Sequence, residues 1–268
     1  MGNPIAILIA SRGRHSELAQ HRWPASSPTL ICDQSPAPFE TDAAQVLHRP
    51  DLSGLPAARN VLLHASDTEW VVFLDDDAEP AADFLEQLEG CIASDPKVVA
   101  WGPVVETRGR WLRRAHRLLQ LGTMRDPRRL TAGPADLPTR ALFGCCFAVR
   151  RDVALHTGFD ERRHGYALGE DLDFFLRLPG RKRFAQNLRC VHHESDAGRA
   201  SPSERGHAKT AFLRWIARRH GGRNPATLLH LTLASVAALC AGTQAREYAT
   251  VSGIYCGLTG QDPFVQKR

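Results

Sequence analysis

Short apolar runs recur along most of the chain, and polar or acidic residues follow several of them. Continuous runs of this length are typical of strands that are buried on both faces of a sheet. The pattern predicts strands at residues 4–10, 29–33, 44–48, 70–74, 97–105 and 188–191, with a further strand or buried turn at 142–149.

Segments with helical spacing separate several of these strands. Gly54 opens one helix, which carries Pro56 near its first turn. A second helix is predicted from Pro80 to Ser94, and a third follows Gly169. Because strands and helices alternate, we expect an α/β fold with a Rossmann-like, mostly parallel central sheet and helices on both faces. Residues 202–268 are predicted to form a C-terminal helical extension.

The run Trp70–Leu74 leads directly into three consecutive carboxylates, Asp75, Asp76 and Asp77. Three adjacent anions repel one another, which indicates a counter-cation. In extended chain Asp75 and Asp77 point the same way and offer two oxygen donors to one site. A hard divalent ion such as Mg2+ or Mn2+ suits these donors. The alternative is a solvated acidic turn before Pro80.

Polar residues also follow the first two predicted strands. Ser11 and Arg12 come after the first strand, together with a glycine and a second arginine, and Asp33 ends the second. Two arginines in this position suit an anion or a nucleotide at the carboxyl edge of a parallel sheet. We therefore expect Ser11, Asp33 and the three aspartates to converge on one site.

Two later segments add acids and histidines. Glu170 and Asp171 lie in the first turn of the third predicted helix, where helix capping alone also explains them. His192 and His193 follow the last strand, as metal ligands or as a structural pair. Arg199 lies in a loop of small residues that we expect to close over phosphates.

Composition narrows the class of protein. With 268 residues, 43% hydrophobic and 24% charged, the chain is an ordinary globular protein and not a disordered one. Its net charge of +5 and pI near 9.0 favour anionic ligands without choosing among them. The arginine-rich segment 108–129 predicts a solvated surface helix, or alternatively a helix that contacts an anionic membrane or an acidic acceptor.

The seven cysteines are odd in number and form no C-x-x-C pair. Several lie inside apolar runs, so we interpret them as reduced core residues of a cytoplasmic protein. The first residues lack the charged flank of a signal peptide and are interpreted as a strand. Peripheral contact with the inner membrane face is the alternative location.

Several motifs occur in a fixed order between residues 4 and about 201. They are Ile-Leu-Ile-Ala-Ser-Arg, Asp33-Gln34-Ser35, the segment Gly54 to Asn60, Phe-Leu-Asp-Asp-Asp, Gly158-Phe159-Asp160-Glu161, Glu170-Asp171-Leu172-Asp173 and His192-His193-Glu194-Ser195. Each is weak alone, but the ordered set resembles the inverting family 2 glycosyltransferases of the GT-A fold. The resemblance implies a GT-A domain over residues 1–201, with a nucleotide half at 1–106 and an acceptor half at 107–201.

The resemblance also implies roles for single residues. Asp171 would be the catalytic base, and Asp77 would bind Mn2+ or Mg2+ together with His192 or His193. Three residues would contact the acceptor, namely Glu170, Gly144 and Trp101. The remaining predicted residues would bind the nucleotide sugar: Ser11, Arg12, Asp33, Arg59, Asp75, Asp76 and Arg199.

Together these features predict a metal-dependent inverting transferase for one hexosyl or deoxyhexosyl group. The expected donor is a UDP- or dTDP-sugar, and the acceptor a saccharide, a lipid-linked glycan or a small molecule, as in polysaccharide biosynthesis. Two alternatives remain, a nucleotidyltransferase on a similar fold and a non-catalytic nucleic-acid- or membrane-binding protein. The first would need a glycine-rich phosphate loop, which Ser11-Arg12-Gly13-Arg14 matches poorly. Nucleic acid is the less expected partner.

Overall fold

A computed structural model describes residues 5–19, 27–107, 136–139, 141–162 and 169–193, together with Trp215 and Arg219. The arginine-rich segment 108–129, Arg199 and nearly all of the predicted C-terminal extension lie outside these residues. The fold is therefore described for the part of the chain that holds the predicted strands.

Within the described residues, nine strands form one sheet with the order β3-β2-β1-β4-β8-β6-β9-β5, and β7 pairs with β9. The strands are β1 Ile5–Ser11, β2 Thr29–Asp33, β3 Gln45–His48, β4 Trp70–Asp75, β5 Ala78–Pro80, β6 Val98–Thr107, β7 Asp136–Thr139, β8 Cys146–Arg150 and β9 Arg181–His192.

The sheet has two parts that differ in strand direction. Strands β3, β2, β1 and β4 are parallel neighbours. Strand β8 then runs antiparallel to both β4 and β6, and β6 is parallel to β9. The short strands β5 and β7 pair antiparallel with β9. The predicted α/β class is confirmed, with the parallel Rossmann-like order concentrated in the first half of the chain.

Helices cover both faces of this sheet, as predicted. On one face Leu88 and Cys91 pack in a core with Ile7 and Val72. On the other face Leu62 packs in a second core with residues of β1 and β4. The described helices are α1 His15–Leu18, α2 Leu55–Ala65, α3 Phe84–Ser94, α4 Arg151–Thr157 and α5 Glu170–Arg177. Among the described residues, no helix is long and apolar enough to cross a membrane.

Several predicted boundaries are wrong: β8 begins at Cys146 and not at residue 142, and β9 begins at Arg181 and not at residue 188. The second helix begins at Phe84 and not at Pro80, because residues 78–80 form β5 and pair with β9. Ala78 lies opposite His192 in that pairing. This long-range pairing brings the end of β9 beside the acidic residues that follow β4, and it leaves no local trace in the sequence.

The described cysteines fit the predicted reduced state. Cys32, Cys91, Cys145, Cys146 and Cys190 are all free and buried. Burial raises the pKa of the Cys145 and Cys146 thiols well above the usual value, so both stay protonated and unreactive. They pack the start of β8 and carry no redox function in this arrangement.

Candidate active site

The ends of three parallel strands meet at one edge of the sheet. Ser11 at the end of β1 lies beside Asp33 at the end of β2, and Ala10 lies beside Asp75 at the end of β4. Open parallel sheets bind ligands beyond the carboxyl ends of their strands. The predicted convergence of these residues is therefore confirmed.

Asp75, Asp77 and His192 form a cluster suited to a metal ion, called the metal group below. Each residue offers one ligand atom, and these atoms lie within 4.8 Å of one another. Nε2 of His192 lies 3.0 Å from Oδ1 of Asp77. Two carboxylates and one imidazole are ligands that Mn2+ and Mg2+ accept. The structure thus adds Asp75 to the predicted ligands, although the sequence assigns it to the nucleoside.

The structure also separates the two adjacent histidines. Successive side chains of a strand point to opposite faces, so His192 faces Asp77 and His193 turns away. Nε2 of His193 lies 3.1 Å from the Glu79 carboxylate, and its exposed side chain is outside the metal group. Its backbone N–H donates to the Asp77 carbonyl at 2.9 Å. Of the two candidates, His192 is the one placed to bind a metal.

Asp76 faces the first loop and not the metal group. Its carboxylate accepts hydrogen bonds from Ser11 Oγ at 2.8 Å and from Nη1 of Arg14 at 2.8 Å. Burial raises the pKa of Asp76 to about 6, against the opposing effects of Arg14 and Ser11. The same Arg14 nitrogen lies 3.1 Å from Oδ2 of Asp77. Arg14 therefore links Asp76 to the metal group.

Arg14 is a site residue that the sequence analysis did not select. Arg12 was chosen instead, and the structure leaves its side chain exposed while Arg14 is buried. Gly13 lies between them with φ of +73°, a conformation that favours glycine and turns the chain inward at Arg14. The glycine between two arginines was the only sequence signal for this turn.

Asp33 is fully buried and supports the loop that follows β2. Its carboxylate accepts backbone hydrogen bonds from Ser35 at 3.0 Å and from Phe39 at 2.9 Å, and Nε2 of His15 lies 3.2 Å away. Burial opposes ionisation, but these hydrogen bonds hold the pKa of Asp33 below its usual value. A contact between Asp33 and a nucleotide base stays a prediction, and His15 is the more exposed of the pair.

Arg59 lies inside the protein and connects the two halves of the site. Its guanidinium donates to Glu170 at 2.5 Å, to Asp75 at 3.1 Å and to the Gly144 carbonyl at 2.7 Å. Its Cζ atom also lies 5.4–5.6 Å from the ring centres of three aromatic residues, Phe73, Phe147 and Phe159. The predicted contact between Arg59 and base or phosphate is untested, and this structure directs the side chain to protein partners.

Glu170 is buried at the start of α5, against Arg59. Burial raises its pKa to about 8, which Arg59 opposes and the neighbouring Asp171 and Asp75 carboxylates reinforce. Its second oxygen accepts a hydrogen bond from the Asp171 backbone. The predicted acceptor contact of Glu170 has no direct support, because its carboxylate is engaged by protein groups.

Asp171 lies next to Glu170 and is partly exposed, as a residue that meets a substrate must be. Its Oδ2 accepts a hydrogen bond from the Gly144 backbone N–H at 3.0 Å, and Oδ1 accepts one from Leu172 at 2.8 Å. A carboxylate has about four lone-pair sites, so capacity for a further proton donor remains. Asp171 is thus held in place with a carboxylate that can take part in proton transfer.

The remaining predicted acceptor residue does not reach the site surface. Trp101 in β6 is completely buried in the core, so its side chain has no exposed area for an acceptor. Its indole nitrogen has no hydrogen-bond partner among the described residues. Trp101 is therefore a packing residue between the sheet and its helices. The sequence alone does not reveal this packing.

Comparisons with known proteins agree with this geometry. Residues 32–158 match the family model described as Glycosyl transferase family 2. Pre-mycofactocin glycosyltransferases from two strains of Mycobacterium tuberculosis are 31% identical over 210 residues, which make up 72% of this chain. The match covers 40% of each relative's length. The chain therefore spans well under half the length of these curated relatives.

Two solved structures have a similar fold. A mannosyltransferase, PcManGT from Pyrobaculum calidifontis in complex with GDP-Man and Mn2+, has a TM-score of 0.59 and 16% identity, covering 98% of this chain and 89% of its own. GalNAc-T7 with UDP, GalNAc and Mn2+ has a TM-score of 0.57 and 16% identity, covering 80% of this chain and 48% of its own. At this identity the likeness concerns the fold.

The family match begins near the end of β2, includes β3 to β8, and ends at Gly158, directly after helix α4. The relatives carry the same family activity in their names, and the fold is that of glycosyltransferases with a nucleotide-binding sheet. The chain therefore contains a glycosyltransferase family 2 domain and has the GT-A fold.

Proposed function

We propose that the protein is a metal-dependent inverting glycosyltransferase, which moves one hexosyl or deoxyhexosyl group from a nucleotide sugar to an acceptor hydroxyl. The observation that carries this proposal is that the site contains two distinct groups, the metal group and the Asp171 carboxylate. Asp75, Asp77 and His192 gather ligand atoms within 4.8 Å, whereas the Asp171 carboxylate is held by the N–H groups of Gly144 and Leu172.

The metal group supports the donor side of the reaction. Its two carboxylates and imidazole fit Mn2+ or Mg2+, and such an ion supplies positive charge that stabilises a departing diphosphate. Arg14 holds Asp77 and Asp76 in place from the opposite side. Asp75 is fixed in turn by Arg59 at 3.1 Å. These contacts orient the carboxylates before a donor arrives, which is what preorganised electrostatic stabilisation requires.

Asp171 supports the acceptor side. In a single displacement, the acceptor hydroxyl oxygen bonds to the anomeric carbon while the bond from that carbon to the diphosphate oxygen breaks. The hydroxyl proton passes to the Asp171 carboxylate, and the nucleoside diphosphate leaves with the bonding electron pair. One carboxylate within hydrogen-bond reach is enough for this role. Inversion follows because attack and departure take place on opposite faces of the sugar.

The nucleotide of the donor is proposed to be UDP or dTDP, with Asp33, Ser11 and Arg12 on its side of the site. The structures with similar folds hold UDP in one case and GDP-Man in the other. Because the Asp33 carboxylate is fully buried beneath His15 and the loop to Phe39, base recognition through it requires this loop to open. Guanine nucleotides therefore belong in any donor test.

The acceptor is proposed to be a saccharide, a lipid-linked glycan or a small molecule. The mycobacterial relatives are named for glycosyl transfer to pre-mycofactocin, and their similarity makes that compound a member of the acceptor panel. We further propose a cytoplasmic location, with contact to the inner membrane face as the alternative.

A donor screen tests the proposed function. The protein is incubated with Mn2+ or Mg2+ and with UDP-, dTDP- and GDP-sugars, and melting temperature is recorded with and without EDTA. A bound donor raises the melting temperature because it binds only the folded state. We expect one nucleotide class to give a metal-dependent rise, followed by release of the nucleoside diphosphate when an acceptor is added.

The products distinguish the alternatives. Release of pyrophosphate from a nucleoside triphosphate supplied together with a sugar phosphate would indicate a nucleotidyltransferase instead. Salt-sensitive binding to DNA or anionic vesicles without any donor effect would indicate a binding protein. Proton NMR of the transferred anomeric centre reports inversion or retention, and retention would overturn the single-displacement mechanism.

A further inference from the structure

Gly144, in the segment before β8, touches both halves of the site through its backbone. Its N–H donates to Oδ2 of Asp171 at 3.0 Å. Its carbonyl accepts a hydrogen bond from Nη2 of Arg59 at 2.7 Å. The same arginine nitrogen lies 3.1 Å from Oδ1 of Asp75, a member of the metal group. Gly144 and Arg59 therefore connect the proposed base to a proposed metal ligand through hydrogen bonds.

The space around Gly144 explains why this position holds glycine. Gly144 does not have a positive φ, so its backbone conformation does not itself require glycine. A Cβ atom added to Gly144 would instead lie 2.7 Å from Oδ2 and 2.9 Å from Cβ of Asp171. Any larger residue must push the Asp171 side chain away. The glycine permits the close approach of Asp171 to the backbone.

The other contacts of Asp171 are local. Its second oxygen accepts from the N–H of Leu172, the next residue in the same helical turn. The hydrogen bond from Gly144 comes from outside helix α5 and fixes the position of Asp171 relative to the sheet. Without it, α5 still forms, but the carboxylate loses its fixed position relative to β4 and the metal group.

We infer that Gly144 is a positioning residue, which sets the Asp171 carboxylate relative to the Asp75–Asp77–His192 group and couples the two through Arg59. The inference rests on the proposed function for the role of Asp171 as base. Gly144 does not itself bind the acceptor in this account; it acts through Asp171.

The variant Gly144→Ala tests the inference in the full chain. Displacement of a reacting group by about 1 Å costs on the order of 100-fold in rate, so we expect kcat to fall by about that factor. Donor binding should persist, because the metal group and Arg14 are untouched. The measurement is kcat and donor KM, with the Mn2+-dependent rise in melting temperature as a separate reading of donor binding.

Two glycine variants serve as controls. Gly90→Ala in helix α3 meets no atom within 4 Å and should keep the wild-type kcat and donor KM, while its melting temperature rises slightly because alanine favours a helix interior more than glycine does. Gly180→Ala is strained by a φ of +90° and places its Cβ 2.8 Å from Val99, at the far end of α5. It should lower the melting temperature and leave the kcat of the folded fraction unchanged. If it lowers kcat as much as Gly144→Ala does, general destabilisation explains both and the inference is overturned.

Amide hydrogen exchange provides a further test that does not depend on catalytic activity. In Asp171→Ala the Gly144 N–H loses its acceptor, so its hydrogen exchange should become faster, while exchange at the Asp75 N–H, bonded to the Cys145 carbonyl at 2.9 Å, stays the same. Unchanged exchange at Gly144, or wild-type kcat in a folded Gly144→Ala, would overturn the inference. If the wild-type protein transfers no sugar, the proposed function fails, and hydrogen exchange still decides whether Gly144 holds Asp171.

Discussion

The site contains two groups in which acids meet an arginine, and the two differ in exposure. In the metal group, the side chain of Asp75 is 29% exposed and that of His192 is 20% exposed. In the second group, called the Arg59 network, Arg59 and Glu170 are 3% and 5% exposed and three aromatic rings surround the guanidinium. The first group can still receive a ligand, whereas protein atoms occupy the second.

Despite this difference, burial raises the pKa of one acid in each group. Burial raises the pKa of Glu170 to about 8, although Arg59 lies beside it. The pKa of Asp75 is also raised, first by burial and then by the charges of Asp77 and Asp171, against Arg59 and His192. A divalent cation at the metal group would offset that repulsion. Similar residue types thus serve ligand binding in one place and internal positioning in the other.

The largest effect is expected from Asp171→Asn, which removes the proposed base and keeps its shape. General bases typically contribute 10²–10⁴-fold, so turnover should fall by about 10³-fold. The metal group is unchanged, and the donor should therefore still raise the melting temperature. Turnover is followed by nucleoside diphosphate release, with the surface variant Asp152→Asn as the matched control. Undiminished turnover would remove Asp171 from the mechanism.

The next effect concerns the Arg59 network. Arg59→Ala removes the buried guanidinium that donates to Glu170, Asp75 and the Gly144 carbonyl, and a hydrogen bond to a charged group typically contributes about 1.5–3 kcal/mol. Urea unfolding should show a loss of this order in the free energy of unfolding. Arg49→Ala is the control, since Arg49 pairs with Asp51 at the exposed surface, and its stability should stay near that of the wild type. Equal losses in the two variants would contradict the contrast between exposed and buried groups.

A smaller effect separates the two histidines. His192→Ala should weaken Mn2+ binding by more than about tenfold, since loss of even an outer partner of a metal site typically costs 10–100-fold. His193→Ala should leave the affinity unchanged, because His193 faces Glu79. Titration of Mn2+ by calorimetry in the presence of donor measures both. Weaker binding in His193→Ala alone would reverse the assignment.

The last prediction concerns the pH dependence of stability. The pKa of Glu170 is raised from 4.5 to about 8 on folding, so between these values the folded state holds a proton that the unfolded state has lost. Stability contributed by this group is therefore present below pH 4.5 and declines as pH rises towards 8. Glu170→Gln cannot titrate, and its unfolding free energy should vary less over this range. Parallel pH profiles of wild type and variant would contradict the raised pKa.

Most strand positions and the shared edge were predictable, because buried strands leave continuous apolar runs and polar residues mark their ends. The short strands β5 and β7 and the polar first part of β9 were not. Asp75 and Asp77 could be assigned to one side of the chain from the alternation of an extended backbone. The choice between His192 and His193 could not be made from the sequence, because it depends on the pairing of β9 with β5.

Residues directed inward were the hardest to predict. Arg59 belongs to a motif of the family, but its position depends on aromatic rings from β4, β8 and Phe159, which come together only in the fold. Arg14 reaches the acids of the site because Gly13 turns the chain, while the role of Arg12 stays a prediction. The local sequence indicates the secondary-structure elements and the chemical types of the site residues. Long-range packing determines which arginine pairs with which acid.

The central claim is metal-dependent sugar transfer by this chain, and one measurement tests it most directly. Purified protein is incubated with Mn2+, the nucleotide sugar that raises its melting temperature and a panel of acceptors, and nucleoside diphosphate release is compared with a sample containing EDTA. The account predicts release coupled to a glycosylated product with Mn2+, and loss of both with EDTA and in Asp77→Ala. Equal product formation with EDTA would contradict it, as would the absence of product with every donor and acceptor.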